Sequence, residues 1–449
     1  MITITNQTIV RICIAAGLLN LVLVSGLAAG GILNSVQTDT QEFYVQESPE
    51  FELELPADTD RPFVGELVVD ADAYYNTVIR AENGATIYPP AEAYNNYIQK
   101  YHYAPAVVLP FALLAVFGYG PFKLLLLLAS ITAVFGGSYA ILRVETKLQE
   151  INVSNQTLLL IAAATVGFGP MVSNYKVGQI TPFIYVAIAG CWYWYRRDSE
   201  TLAGAALTVA ALTKPYFIAP AAVLISREHF RGVGGLIGGV GAGYAIGVLV
   251  FGVDTLRRYV GILIEFAVGS ETSGVGRITE WSVESVYPFF SLGSFTTAGR
   301  LFTAGGFALL WIQYLRDGSR TRSGAGVFAG SLVMVLFVIQ GASNMDLAAC
   351  LAAYLVLGPE LYGRSREFAL LGLSFLLTTI HPYAMELLVG GGHINLVSTV
   401  SGPAQPLLQL LQPATYGLYM LAGLSVLVVF RPPSEPRAIY SRNSKQEDK

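Results

Sequence analysis

Apolar runs, each bounded by short polar segments, follow one another along almost the whole chain. Runs of roughly 20 residues are long enough to cross the hydrocarbon core of a bilayer as helices, which satisfy their own backbone hydrogen bonds there. We therefore predict an all-α polytopic membrane protein with about 10–12 transmembrane segments. The predicted apolar segments are 9–33, 105–117 with 120–142, 155–172, 179–195, 201–226, 232–252, 299–315, 324–341, 345–362, 366–389 and 405–430.

The run 105–117 differs from the others because it is too short to cross a bilayer alone. It begins at Pro105 and is followed by the turn-forming sequence Gly-Tyr-Gly-Pro at 118–121. We interpret it as an interfacial or re-entrant helix at the end of a large external loop, 35–104.

The composition excludes a soluble protein. Of the 449 residues, 53% are hydrophobic and only 13% are charged, with a mean hydropathy of +0.52. Soluble domains have about 25% charged residues, and a soluble globule of this composition would expose large apolar patches. The net charge of −4 argues against binding to nucleic acid.

The distribution of charge predicts an orientation in the plasma membrane. Segment 35–100 has thirteen acidic and three basic residues. It should lie outside, because cytoplasmic loops have the excess of lysine and arginine. Both termini are then cytoplasmic, a second external loop is 253–298, and residues 1–430 form one domain followed by a disordered tail, 431–449. The predicted cytoplasmic clusters are Arg143 with Lys147, Arg196 with Arg197, Arg316 with Arg320 and Arg322, and Arg364 with Arg366.

Segment 201–226 does not fit a simple span. Arginines flank both of its ends, with Arg227 and Arg231 on the C-terminal side, and Lys214-Pro215 lies at its middle. Proline breaks a helix, and a lysine within the bilayer is costly unless it faces a polar cavity. We favour a re-entrant pair of half-helices with Lys214 in a cavity; the alternative is one kinked span with Arg227 and Arg231 outside.

The glycine-rich run 232–247 has the sequence GVGGLIGGVGAGYAIG. It lacks the Gly-Lys-Ser/Thr ending of a phosphate-binding loop. We expect the glycines to let neighbouring helices pack closely instead.

Two carboxylates in the first external loop, Asp70 and Asp72, are the candidate catalytic residues. Asp70 could act as a general base toward an acceptor hydroxyl, or it could be one more acidic residue of an acidic loop. Asp72 could share that role, or it could be the N-cap of a short helix, Ala73–Asn83, that Gly84 terminates. Two carboxylates alone are a weak metal signal, so we expect no metal and no other cofactor.

Aromatic residues surround these carboxylates in the sequence. Tyr74 and Tyr75 follow Asp72 directly, and Tyr103 comes shortly before Pro105. These three are candidate substrate contacts. The series Tyr88, Tyr94, Tyr97, Tyr101 and Tyr103 is typical of an interfacial aromatic belt, with a platform for sugar rings or an isoprenoid chain as the functional alternative.

Basic residues on the predicted external side point to an anionic ligand. Lys214, Arg277 and Lys176 are candidates for binding a phosphate on a lipid headgroup. Arg257 and Arg258 could simply mark the water interface.

The second external loop, a predicted external turn at 174–179 and the predicted external loop 390–404 contain further candidates for substrate binding. Glu280 and Trp281 suit carbohydrate recognition by hydrogen bonding and ring stacking, and Gln179 and His393 also lie on this side. His102 and His381 have no zinc-site spacing with it, and a structural role is the simpler interpretation for all three histidines.

Several short motifs, in order, resemble the opening of GT-C glycosyltransferases, and the most similar group is family 87, the polyprenol-phosphate-mannose-dependent mannosyltransferases. The resemblance extends over about residues 60–225. The motifs are Asp70-x-x-x-Tyr74-Tyr75, Gly84-x-x-Ile87-Tyr88, Tyr101-x-Tyr103-x-Pro105 with Pro110-Phe111, Gly178-Gln179, Ala203-Gly204 and Lys214-Pro215.

The resemblance implies a GT-C-like fold and an enzyme that works at the outer face. Its donor is a lipid-linked sugar phosphate, its reaction inverts the anomeric carbon, and it usually needs no metal. The acidic residue of the first loop acts as base, which implies that role for Asp70, with Asp72 as the fallback. Gln179 and Lys214 match positions near the donor.

The predicted function is therefore transfer of a sugar, with mannose favoured, from a polyprenyl-phosphate donor to a lipid or glycan acceptor. The partners are membrane lipids, the donor and the acceptor. Two alternatives stay open at this point. A lipid-linked polysaccharide polymerase or ligase has a similar layout, and a secondary transporter could use the broken helix at Lys214.

Overall fold

We describe the fold from a computed structural model, which describes residues 5–37, 70–88, 101–268, 305–306, 308, 324–338, 346–385 and 412–430. Every regular element in these ranges is a helix. The α-helices are α1 (Asn6–Gln37), α2 (Ala71–Glu82), α3 (Val108–Ala115), α4 (Tyr119–Leu148), α5 (Asn155–Val166), α6 (Gly169–Val177), α7 (Thr181–Tyr195), α8 (Glu200–Ala206), α9 (Thr208–Thr213), α10 (Ala222–Ser226), α11 (Phe230–Phe251), α12 (Val253–Val268), α13 (Gly324–Val338), α14 (Leu351–Leu361), α15 (Ser365–Met385) and α16 (Pro413–Phe430). Three 3₁₀ helices are Pro105–Val107, Pro215–Ala221 and Asp346–Cys350.

Three of the described helices, α4, α11 and α16, are long and apolar enough to cross a membrane. The pair α5 and α6 meets the same criterion together, but the two helices are bent by 55°. The predicted segment 155–172 therefore corresponds to a bent pair of helices: α5 ends before Gly167, and α6 starts with Pro170 in its first turn. Because Pro170 cannot donate a backbone hydrogen bond, the helix is interrupted there.

The predicted short helix near Pro105 is present, as a 3₁₀ turn followed by α3. It ends before Gly118, whose φ of +87° favours glycine. Phe111 faces inward onto Phe122 of α4, with ring centroids 6.3 Å apart, whereas Leu113 and Phe117 are exposed. The exposed apolar tip suits a helix that lies at a membrane interface.

The segment 201–226 folds as a broken hairpin. Lys214, with φ −124° and ψ 88°, interrupts the helical path between α9 and the 3₁₀ helix that Pro215 begins. The chain then returns to its starting point: His229 Nδ1 lies 2.7 Å from Glu200 Oε1. A Cβ on Gly232 would lie 3.0 Å from both Glu200 O and a methyl of Leu224. Both ends of the hairpin therefore lie at one end of α11, which supports the re-entrant interpretation over a kinked span.

Glycines of α11 hold this hairpin, as the sequence predicts. A Cβ on Gly235 would lie 2.3 Å from Thr201 O, one on Gly239 would lie 2.0 Å from Thr208 Oγ1, and one on Gly243 would lie 2.5 Å from Leu212 Cδ1. Contacts this short show that α11 runs parallel to α8 and α9 at a distance that only glycine permits. We call Gly235, Gly239 and Gly243 the glycine stripe. Its contacts fix the position of the hairpin, and so of the break at Lys214, along α11.

Side-chain contacts link the helix ends that the sequence predicts to be cytoplasmic. Asn6 Nδ2 donates to Tyr362 O, and Gln149 Nε2 donates to Glu360 Oε2 at 3.0 Å. Glu145 accepts from Arg196 at 2.7 Å. The candidate site residues lie at the opposite end of the described helices. The assignment of the two ends to the two membrane sides stays a prediction.

Candidate functional site

Asp70 stands immediately before α2 and is only 2% exposed. The prediction that Asp72 caps a helix starting at Ala73 is wrong, because the helix starts at Ala71 and Asp70 occupies the N-cap position. The Asp70 side chain makes no capping hydrogen bond. Its backbone N–H donates to Val177 O at 2.7 Å, which fixes the start of α2 against the end of α6. Gly84, with φ +72°, ends the helix region as predicted.

Tyr74 and Tyr103 lie together beside Asp70. The Tyr74 ring stacks on Phe111, with centroids 4.5 Å apart, and its hydroxyl lies 3.3 Å from the Tyr103 hydroxyl. Tyr75 instead packs edge-on against Tyr119 of α4, at 5.2 Å. Of the three predicted aromatic contacts, Tyr74 and Tyr103 therefore join the neighbourhood of Asp70, while Tyr75 serves the packing of α2 on α4.

The aromatic belt prediction is wrong for Tyr88, Tyr101 and Tyr103. All three are buried, and they pack on one another: the ring centroid of Tyr101 lies 5.4 Å from that of Tyr103 and 5.9 Å from that of Tyr88. The Tyr88 hydroxyl also donates to Tyr103 O. A belt residue would expose its ring to the lipid headgroups, whereas these rings form a core under the first loop. Tyr94 and Tyr97 lie outside the described residues.

Lys214, at the break of the hairpin, forms an ion pair that the sequence reasoning missed. Its Nζ donates to Asp346 Oδ1 at 2.7 Å, and the Tyr216 hydroxyl donates to the same oxygen at 3.2 Å. The side chains of Lys214 and Asp346 are 16% and 6% exposed. A carboxylate at the start of the apolar run 345–362 was the available signal, because such a charge needs a partner.

Tyr103 connects the two charged parts of the site. Burial raises its pKa, Lys214 lowers it, and Asp70 and Asp346 raise it again. The hydroxyl is therefore within electrostatic range of all three charges. The backbone reinforces this placement, since Ala104 N–H donates to Leu212 O at 2.8 Å, two residues before Lys214. We call Asp70, Tyr74, Tyr103, Lys214 and Asp346 the charged site.

Two further predicted residues, Lys176 and Gln179, lie on either side of Val177, whose carbonyl accepts from the Asp70 N–H. Lys176 is exposed in the last turn of α6, next to Val177. Gln179 follows Gly178, whose φ of +81° ends α6, and its N–H donates to Asn174 O at 3.0 Å. The predicted turn over 174–179 is thus shorter than expected, because residues up to Val177 are helical.

Four predicted contacts, Arg277, Glu280, Trp281 and His393, lie outside the described residues. The two neighbouring arginines of α12 differ. Arg257 pairs with Asp254 at 3.0 Å in an exposed position, as expected for an interface residue. Arg258 instead donates to Thr86 Oγ1 at 3.1 Å and to Tyr88 O at 3.3 Å, and so ties α12 to the first loop.

The described ranges contain no group of three or more His, Cys, Asp or Glu residues arranged to hold a metal ion. The charged site contains two buried carboxylates, two phenolic hydroxyls and an ammonium, and one of the carboxylates, Asp346, is paired with the ammonium. These groups can accept a proton, orient hydroxyls and stabilise a developing negative charge.

The described fold is that of an all-α membrane protein in which an ion pair, a second buried carboxylate and two tyrosines lie close together. The model of glycosyltransferase family 87 matches residues 101–339, more than half of the chain, and the chain belongs to this family. It is a membrane glycosyltransferase, as predicted. No curated protein and no solved structure matches the chain. The matched stretch includes Tyr103 and Lys214, whereas Asp70 and Asp346 lie on either side of it.

Proposed function

We propose that this glycosyltransferase moves a sugar, with mannose favoured, from a polyprenyl-phosphate donor to a hydroxyl of a lipid or glycan acceptor. The observation that supports this best is the charged site, where a buried carboxylate, Asp70, and an ammonium, Lys214, both act on Tyr103. Transfer from a phosphate-linked donor needs both groups: one accepts a proton and the other meets a phosphate. Membership of the family argues against the transporter and the polymerase or ligase alternatives.

The proposed reaction is a single displacement. The acceptor oxygen attacks the anomeric carbon while Asp70 takes its proton, and the bond between that carbon and the phosphate oxygen breaks. Polyprenyl phosphate leaves with the electron pair, and the configuration at the anomeric carbon inverts. Lys214 stabilises the charge that grows on the phosphate, an interaction stronger in the transition state than in the bound donor.

The placement of Asp70 suits a general base. Its main chain is fixed by the hydrogen bond to Val177 O, so the carboxylate starts from a defined position. Its burial keeps bulk water from competing for the proton. Tyr74 and Tyr103 add hydroxyls that can orient a sugar or an acceptor in the same place.

The polyprenyl chain needs an apolar path from the membrane to the charged site. We assign this path to the surface of α11, where Ile237, Leu249 and Val250 are exposed, and whose glycine face holds the hairpin of Lys214. In the proposed orientation the site opens at the outer face of the plasma membrane and both termini are cytoplasmic.

The test is transfer by purified protein in lipid nanodiscs, with radiolabelled polyprenyl-phosphate mannose and extracted lipid or glycan acceptors. Asp70→Asn and Asp72→Asn are a matched pair, because the two residues are two positions apart at the start of α2 and undergo the same change. A general base contributes about 10²–10⁴-fold, so Asp70→Asn should lower the rate at least about 100-fold while Asp72→Asn stays near wild type. The opposite ranking would assign the base to Asp72. A folded wild-type protein inactive with mannose and with other polyprenyl-phosphate sugars would contradict the proposed donor.

A further inference from the structure

The position of the Lys214 ammonium depends on a residue 132 positions further along the chain. Lys214, with φ −124° and ψ 88°, lies between α9 and the 3₁₀ helix Pro215–Ala221 and belongs to neither helix. Its long flexible stem could place the charge in many positions. The contact that defines one position is the 2.7 Å bond to Asp346 Oδ1.

Asp346 is well suited to fix that position. It begins a 3₁₀ helix, Asp346–Cys350, in which every residue is buried and which leads directly into α14. The Tyr216 hydroxyl, two residues after Lys214, donates to the same carboxylate oxygen. The carboxylate therefore holds the hairpin break, and the start of the 3₁₀ helix that follows it, against a buried element.

The chemistry of the pair leaves Lys214 able to serve a ligand. An ammonium has three N–H donors, and Asp346 Oδ1 takes one of them. A buried ion pair is seldom retained for stability, because well-packed apolar side chains often do as well or better. Holding a cation in a defined orientation is a role that apolar side chains could not fill.

We infer that Asp346 is a positioning residue of the transferase, which holds the Lys214 ammonium where the leaving phosphate of the donor develops its charge. This inference rests on the proposed function. The family match does not assign the role, because Asp346 lies beyond residue 339.

The inference predicts different effects of Asp346→Asn on kcat and on KM for the donor. Asp346→Asn keeps an oxygen that can accept from Lys214 but removes the charge that holds the ammonium. A catalytic group misplaced by about 1 Å can lower a rate about 100-fold, so we expect kcat to fall about 10- to 100-fold. KM for the donor should change less than about 3-fold, because the phosphate charge that Lys214 meets grows mainly as the bond breaks.

The matched control is Glu145→Gln. Glu145 is also a buried carboxylate in an ion pair, with Arg196 Nε at 2.7 Å, but it lies at the opposite end of the helices. This variant should lower thermal stability and leave kcat per folded molecule unchanged. Tyr216→Phe removes the second hydrogen bond to Asp346 without changing any charge, and should lower kcat about 3- to 10-fold.

The experiment measures kcat and KM for polyprenyl-phosphate mannose in nanodiscs, with folded protein quantified by size-exclusion chromatography. Active wild type with a selective loss of kcat in Asp346→Asn supports the inference. Active wild type with unchanged kcat in Asp346→Asn overturns it and leaves the proposed function standing. Wild type inactive with every polyprenyl-phosphate sugar overturns both.

A charge-swapped variant covers the case in which Asp346→Asn does not fold. Lys214→Asp combined with Asp346→Lys keeps an ion pair but moves the ammonium to the other segment. If transfer does not need the ammonium at position 214 held by a carboxylate at position 346, this variant should transfer sugar like wild type, which would overturn the inference. A folded variant with kcat at least about 100-fold below wild type supports it.

Discussion

Two adjacent glycines of α11 should respond in opposite ways to the same substitution. A Cβ on Gly235 would lie 2.3 Å from Thr201 O, a backbone atom, whereas a Cβ on Gly234 would meet nothing within 4 Å. Ordinary contact begins near 3.4 Å, so Gly235→Ala requires α8 and α11 to separate by about 1 Å. Neither glycine has a positive φ, since both lie within a regular helix.

The two energies can be worked out from these distances. Overpacking against backbone costs about 1–3 kcal/mol, while replacing a helical glycine by alanine gains up to about 1 kcal/mol. With the full gain from helix propensity, Gly235→Ala should lose up to about 2 kcal/mol net, and Gly234→Ala should gain up to about 1 kcal/mol. The difference between the two variants is the overpacking cost, about 1–3 kcal/mol, because the gain from helix propensity is the same in both.

The assay is thermal unfolding of both variants in the same nanodiscs at one scan rate, since unfolding of such proteins is governed by rates as well as equilibrium. Gly235→Ala should have the lower melting temperature. Its folded fraction should also transfer sugar more slowly, because a displaced α8 moves the hairpin that presents Lys214. Equal stability and activity of the two variants would show that α8 and α11 can separate freely, and would refute the role given to the glycine stripe.

The other predictions concern the first loop, the far end of the helices, pH and metal. Arg258→Ala removes the bonds to Thr86 and Tyr88 that tie α12 to the first loop, so it should increase proteolysis of that loop, and Arg257→Ala, exposed, should not. Glu145→Gln should lower stability by about 1–3 kcal/mol, measured by thermal unfolding, because Glu145 accepts from both Arg196 and Trp192. Burial raises the pKa of Tyr74, so its neutral form is favoured in the folded state; the resulting stability is complete below pH about 10 and is lost as pH rises further. Tyr74→Phe should weaken that alkaline loss in a melting series. Excess EDTA should leave transfer unchanged, and a loss restored by added Mg²⁺ would contradict a reaction without metal.

The helices were predictable where apolar length alone decides them. The segments at 120–142 and 232–252 correspond to α4 and α11, because a bilayer imposes a minimum apolar length on any helix that crosses it. Lys214-Pro215 predicted the break in the hairpin for an equally local reason, since proline lacks the N–H that a continuous helix needs. The break at Gly167 was missed because Pro170 lies at a position where proline also starts a helix.

Packing in the first loop could not be deduced in the same way. Nothing in the local sequence distinguishes a tyrosine in an aromatic belt from one in a buried cluster, because both have the same apolar ring and polar tip. Tyr101 packs on Tyr88, which is 13 positions earlier in the chain, as well as on its near neighbour Tyr103. The start of α2 was misplaced by two residues for a similar reason. Asp70 is fixed by Val177 O, a contact between segments far apart in the sequence.

The charged site shows the same division at the level of chemistry. Lys214 in an apolar segment indicates that a residue of opposite charge lies close to it, because an unpaired ammonium there is too costly. The rule does not say which of the 31 acidic residues supplies it. The ion-pair partner of Lys214 is Asp346 and not Asp70, the proposed general base. The two buried carboxylates near Tyr103 therefore have different duties in the proposed reaction. Asp346 neutralises the lysine, and Asp70 takes the proton of the acceptor hydroxyl.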